Sequence, residues 1–257
     1  MYVDSHCHIN FPALLPELDN VLALMRTNQV TAALCVSVDM ESFDAVNSIA
    51  TQHAHIFASV GVHPNHHEGA EPDELELVRL ASLPKVVAIG ETGLDYFRQA
   101  GDAWPQQQRF RTHIRAAVKA GKPLIVHTRQ AAADTLRIMK EENARDVGGV
   151  MHCFTEDWDT AQKAMDQGFF ISLSGIVSFK NAVEVRVVAQ KIPLSRLLIE
   201  TDSPYLAPVP FRGKTNQPGY VKYVAEAIAE LRGVSPEEIG QATTENFRSL
   251  FKVHASR

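Results

Sequence analysis

Residues 86–95 read Val86-Val87-Ala88-Ile89-Gly90-Glu91-Thr92-Gly93-Leu94-Asp95, an apolar run that stops at a glycine and a carboxylate. Apolar residues in unbroken succession, without alternation, suit a parallel strand covered on both faces. A carboxylate straight after such a run is costly to bury unless it is paired or holds a cation. The same pattern recurs in both directions. Apolar runs stand at Tyr2–Val3, Ala32–Val38, Ile56–Val62, Leu124–Val126, Gly149–Met151, Phe169–Leu173 and Leu197–Ile199. Helix-period stretches fill the gaps: Leu18, Val21, Leu22 and Met25; Phe110, Ile114 and Val118; Val221, Val224, Ile228 and Leu231; and a shorter stripe from Ile239 to Phe251. Pro105 suits a first helical turn and Gly121 a C-terminal stop. Strands alternating with helices make an α/β fold, either an open doubly wound sheet or a closed barrel.

The polar residues that end the runs decide between the two. His6 and His8 follow Tyr2-Val3-Asp4-Ser5, His63 follows Val60-Gly61-Val62, and Glu91 follows Val87-Ala88-Ile89-Gly90. His127 follows Leu124-Ile125-Val126, His152 follows Val150-Met151, and Asp202 follows Leu198-Ile199-Glu200-Thr201. In an open sheet these strand ends would spread along a line. In a (β/α)₈ barrel they converge on one mouth, the face that carries the chemistry of barrel enzymes. We therefore expect a single TIM-like (β/α)₈ barrel, one domain spanning residues 1–257, a length ordinary for that fold.

Composition narrows the function. The chain is 45% hydrophobic and carries a net charge of −5, so no global positive field draws in nucleic acid non-specifically. No apolar stretch approaches the length of a membrane span, and the start, MYVDSHCHIN, has no signal-like core. With Cys7, Cys35 and Cys153 lacking framework spacing, the expectation is a reducing, cytoplasmic setting without disulfides.

Alternate strand residues share a face, so His6 and His8 can both point inward while Cys7 points away. Imidazole pairs suit zinc, manganese, iron or nickel. An isolated His-x-His is as readily a polar pair at a strand end; with the other strand-end residues the metal reading prevails. Glu91 has two oxygens that can bridge two cations, against a capping or ion-paired acid. Asp95 reads as a cap or a support for a ligand. His127 and His152 are the natural remaining ligands for a second cation. Asp202 can bind the first metal and accept a proton from the attacking water, against an N-capping acid; Glu200 is the weaker candidate. His63 is expected to touch substrate, or else to be a core histidine. Arg129, Arg212 and Lys214 can meet a substrate anion or be solvated surface charge. Cys153 is expected to face outward as a small buried hydrophobe, and His53, His55, His66, His67, His113 and His254 to lie at the surface.

Taken together, Asp4-Ser5-His6-Cys7-His8, Gly61-Val62-His63-Pro64, Gly90-Glu91-Thr92-Gly93-Leu94-Asp95, Pro123-Leu124-Ile125-Val126-His127, His152-Cys153-Phe154, Glu200-Thr201-Asp202-Ser203-Pro204 and Arg212-Gly213-Lys214-Thr215-Asn216 resemble the TatD family of metal-dependent deoxyribonucleases. The pieces run in order over essentially the whole chain. The resemblance implies a barrel with two divalent cations, one held by His6, His8, Glu91 and Asp202, the other by Glu91, His127 and His152. It further implies a hydrolase with Asp202 and Glu91 at the catalytic centre and DNA as substrate. Histidine content leans toward zinc or manganese, with magnesium suited to a phosphate substrate. The alternatives are a hydrolase of a small amide, lactone or phosphoester, favoured by the acidic chain, and a metal-binding scaffold without turnover. Neither a membrane nor an obligate protein partner is implied.

Overall fold

Each apolar run becomes a strand, and three of the eight strands, at residues 2–7, 86–95 and 124–129, outlast the run that announced them. A computed structural model describes residues 1–66, 69, 71–98 and 101–253. Its strands are β1 (Tyr2–Cys7), β2 (Val30–Cys35), β3 (Ile56–Val60), β4 (Val86–Asp95), β5 (Leu124–Arg129), β6 (Gly149–Met151), β7 (Phe169–Leu173) and β8 (Leu197–Ile199). Between them run α1 (Leu18–Thr27), α2 (Phe43–Gln52), α3 (Glu74–Ala81), α4 (Trp104–Ala120), α5 (Ala132–Glu141), α6 (Trp158–Asp166) and α7 (Val183–Lys191). After β8 come α8 (Val221–Arg232) and α9 (Pro236–Phe251). The strands pair in parallel and in chain order, forming a nearly closed eight-stranded barrel.

The seam between β8 and β1 is closed with little backbone pairing. Asp202 N–H donates to the His6 carbonyl at 2.9 Å, and His8 N–H to the Ser203 carbonyl at 2.8 Å. A side chain does the rest. Asp4, fully buried, accepts from Thr201 N–H at 2.8 Å and from the Thr201 hydroxyl at 2.5 Å. A buried carboxylate is tolerable here because its acceptors are engaged.

Two cores follow from strands buried on both faces. Outside the sheet, the helix stripes pack in one large cluster containing Val21, Met25, Phe110, Ile114, Val224 and Ile228. The α4 stripe ends sooner than its spacing suggests, since Val118 is 36% exposed. Gly121 stops that helix at φ 63°, the left-handed conformation that a glycine adopts without a Cβ penalty. Inside the barrel a second cluster takes Val3, Leu34, Val87, Ile125, Val150, Phe170 and Leu198, one layer of the ring, together with Phe247 and Phe251 of α9. Thus α9 seals the end opposite the ligands, a role its periodicity did not distinguish from that of an ordinary flanking helix. Ser235 caps α9 by accepting from Glu238 N–H.

Strand β4 positions the site most directly. Its register against β5 passes from Ile89↔Leu124 to Thr92↔Val126, so three steps on β4 face two on β5. This bulge holds Gly90 and Glu91, and bulges re-aim a side chain beside active sites. Gly90 sits at φ 144°, and a Cβ there would fall 2.5 Å from the Ile125 carbonyl oxygen. Glu91 therefore emerges from within a long strand, rather than at its end as the apolar run suggested. Among the described residues no helix is long and apolar enough to cross a membrane.

Candidate active site

Glu91 is 3% exposed, and histidines surround both of its oxygens. Oε2 lies 3.3 Å from His6 Nε2 and 3.9 Å from His8 Nε2. Oε1 lies 2.8 Å from His152 Nε2, 3.1 Å from His127 Nδ1 and 3.3 Å from His63 Nε2. Asp202 Oδ1 completes the first group, 3.4 Å from His8 Nε2 and 3.8 Å from His6 Nε2. Burial alone would raise the Glu91 pKa; the surrounding imidazoles of His152, His63 and His127 outweigh it and hold the carboxyl well below its usual range. Burial likewise works to lower the His152 pKa, yet Glu91 and Glu200 together raise it well above that of a free imidazole.

Tautomers follow from the backbone partners. A carbonyl only accepts, so His8 Nδ1 carries the proton it gives to the Val36 carbonyl at 3.0 Å. Its Nε2 then presents a lone pair to His6 Nε2 at 3.2 Å and to the carboxylates. His152 is oriented in the same sense, with Nδ1 facing the buried Glu200 Oε1 at 3.2 Å and Nε2 facing Glu91, so that a cation binding there would displace the Nε2 proton. Lone pairs that converge on one another make a cation site. Their separations match the edge, about 3.4 Å, of a tetrahedron with metal–ligand bonds of about 2.1 Å. Nitrogen and oxygen donors are chemically apt for divalent metals, and His6-His8-Glu91 and His6-His152-Asp202 both satisfy the spacing of a metal-holding group.

His63 differs. Its Nδ1 accepts from Asn65 N–H at 3.0 Å, which places the proton of the neutral ring on Nε2. Burial pushes its pKa down to about 3, so neutral it stays. Although His63 also meets the spacing test with Glu91 and His127, an Nε2–H is a donor and not a ligand. Asp95 supports His127: Oδ2 lies 3.4 Å from His127 Nε2 and accepts from Asn65 Nδ2 at 2.6 Å. The cavity over these residues measures about 720 Å³ and also admits Arg98, Arg129 and Tyr205.

Residues 3–252 match the family profile described as TatD related DNase. The chain belongs to the TatD family. It is 48% identical to the uncharacterized metal-dependent hydrolase YcfH of Escherichia coli K12, over 99% of this chain and 97% of that one. It is 40% identical to the corresponding Bacillus subtilis hydrolase YabD, over 99% of this chain and 100% of that one. Among solved structures, the TatD homologue YjjV of E. coli superposes with a TM-score of 0.91 at 28% identity, covering 98% of both chains. The protein is thus a metal-dependent hydrolase of the TatD family, with His, Glu and Asp clusters able to hold metal.

All six residues expected to hold metal meet at this TatD-type mouth, and His63 and Arg129 border the same cavity. Arg212 and Lys214 do not; they lie exposed, over the rings of Phe179 and Phe211 respectively. Two expectations need correction. Cys153 does not face outward: β6 ends at Met151, alternation lapses, and at φ 43° the residue turns into the cavity wall. His113 is not at the surface. It is fully buried, accepting from Val62 N–H at 3.0 Å and donating to the Arg109 carbonyl at 2.8 Å. His53 and His55 are partly exposed, His66 borders the cavity, and His67 and His254 lie outside the described residues. In the sequence Glu200 is the weaker candidate beside Asp202, although residues two apart in a strand share a face. Yet it is fully buried and holds both His152 Nδ1 and Cys153 N–H, the latter at 2.8 Å. A carboxylate two residues before a ligand, in an apolar strand, was the available signal. Asn216, also buried, holds the loop behind Asp202 by donating to the Thr201 and Tyr205 carbonyls.

Proposed function

We propose that this chain is a deoxyribonuclease, one hydrolase domain over residues 1–257, working in the cytoplasm with two divalent cations. The carrying observation is the placement of Glu91. Its Oε2 faces His6, His8 and the Asp202 side of the site, and its Oε1 faces His127 and His152. One cation belongs with His6, His8, Glu91 and Asp202, the other with Glu91, His127 and His152. When bound, such cations lower the pKa of water and neutralise charge on phosphoryl oxygens. Zinc, manganese and magnesium are the metals to compare.

The chain's own residues supply the rest. Asp202 is 16% exposed on its side chain, open enough to take a proton from attacking water and pass it to solvent. Burial tends to raise its pKa, but His8, His6 and His152 overcome this and hold it below the usual value, so the carboxylate form is available as base. His63 borders the cavity, and its Nε2–H, 3.3 Å from Glu91 Oε1, is the donor that can turn to a phosphoryl oxygen gaining charge as water adds. Arg129, also bordering the cavity, meets a substrate phosphate. The DNase description of the family supports phosphodiester bonds as the target.

End-labelled single-stranded DNA tests this, with magnesium, manganese or zinc added to wild type and to Asp202→Asn. Shortening by the wild type, lost at least a hundredfold in the variant, is the expected result. A metal-replete wild type that cleaves no DNA but turns over a small phosphoester, lactone or amide overturns the nuclease reading.

A further inference from the structure

The cavity has two unlike walls. Arg98 follows β4 and Arg129 ends β5, while Phe11 follows β1, Ile176 follows β7, and Tyr205 and Leu206 follow β8. In a ring of eight strands in chain order, β4 and β5 stand across the mouth from β8 and β1. One side is therefore cationic and the other aromatic and aliphatic, with the histidine and carboxylate cluster between.

Both walls are braced. The Phe11 ring stacks on His8 at 4.7 Å and an interplanar angle of 15°. Tyr205 meets Phe11 edge-on at 6.3 Å and 74°, and 56% of Tyr205 remains exposed. Opposite, the Arg129 guanidinium lies 3.9 Å from the centroid of Phe97, itself 55% exposed. Asp95 Oδ1 accepts from both Phe97 N–H and Arg98 N–H, at 3.0 and 3.1 Å. The turn carrying this wall is thus tied to the same carboxylate whose other oxygen lies beside His127. Elsewhere, cations such as Arg111, Arg115 and Arg137 are spent on carboxylates of the surface. Among the described residues neither Arg98 nor Arg129 has a carboxylate within ion-pair distance, so both are available to a ligand anion.

Resting on the phosphodiesterase reading above, we propose that these two walls form a base platform and a phosphate clamp that favour a polynucleotide over an isolated phosphoester. A base rests on the Phe11–Tyr205 side, the scissile phosphate sits at the histidine cluster, and a neighbouring phosphate is held by Arg98 and Arg129. Exposed aromatic rings accept any base by stacking, and unpaired arginines grip phosphates in a salt-dependent way. Phe97, Arg98, Arg129, Phe11 and Tyr205 are on this view specificity residues, which do not take part in bond cleavage.

The test compares kcat/KM on a short single-stranded oligodeoxynucleotide with kcat/KM on bis(p-nitrophenyl) phosphate, which has no base and no second phosphate. The double variant Arg98→Gln, Arg129→Gln is expected to lower the oligonucleotide-to-diester ratio at least tenfold and to flatten its dependence on salt. Tyr205→Ala is expected to lower the ratio about tenfold, and Tyr205→Phe, which keeps the ring, to restore it. Ratios within twofold of wild type in all these variants, with wild type cleaving the oligonucleotide, overturn the two-wall proposal alone. Failure of the wild type on every oligonucleotide, despite turnover of the diester, overturns the nuclease reading and this proposal with it.

Discussion

His152 Nδ1 stands 3.2 Å from Glu200 Oε1, in a place where Glu200 is wholly shielded from water. The pair links two strand ends, β6 and β8, and points the other imidazole nitrogen at Glu91. Because the same Glu200 oxygen accepts Cys153 N–H, the carboxylate also fixes the backbone just past the ligand. Glu200 accordingly governs how well the cation beside Glu91, His127 and His152 is held.

Glu200→Gln should weaken metal binding about 10–100-fold, the usual effect of removing a partner that orients a ligating histidine. Competition with a calibrated chelator measures it, with circular dichroism to show that the variant is folded. Wild-type affinity in a folded variant excludes the role.

His63→Phe should keep a ring of similar size while removing the Nε2–H donor. Loss of one donor aimed at a developing oxyanion costs about 10²–10³ in kcat. Metal stoichiometry by elemental analysis should stay at the wild-type level, since His63 Nε2 carries a proton. A variant that instead loses a cation shows His63 to be a ligand.

Thr201→Val should destabilise the protein by about 1–3 kcal/mol, because it strips a hydroxyl donor from the buried Asp4 carboxylate at the barrel seam. Urea denaturation reads the change. If hydrogen exchange at Asp202 N–H and His8 N–H also quickens, the loss is local to the β8–β1 closure.

His113 gives the fold a pH dependence. Burial depresses its pKa to about 4 from the 6.5 of a free imidazole, so the native state prefers the neutral ring. Its contribution is complete above the unfolded value of 6.5 and is lost as pH falls toward 4. Linkage makes this about 2 kcal/mol between pH 7 and pH 5. The urea-derived stability of metal-free wild type should fall by that much more over this range than that of His113→Gln. Parallel pH profiles for the two proteins exclude the assignment.

How far the site was legible depended on whether a residue's role is set locally. His6, Glu91, His127 and Asp202 stand out because a polar group after an apolar run is conspicuous in one dimension. Cys153 was misread because alternation was carried past Met151, where the strand has already ended. His113 looked like a surface histidine on a long helix; its burial depends on Val62 N–H arriving from a distant strand. Glu200 was undervalued because its partner lies 48 positions away in the chain.

By itself the sequence determined the α/β alternation, all eight strand positions, the helix stripes and the identity of the polar residues at the mouth. Those are consequences of hydrophobic period and of the cost of burying charge, both of which act within a few residues. Only the tertiary structure decided the bulge that aims Glu91, the seam closed by Asp4, the plug formed by α9, and which oxygen of Glu91 faces which histidines. These depend on register and on packing between strands far apart in sequence, where a shift of a single residue turns a side chain to the other face.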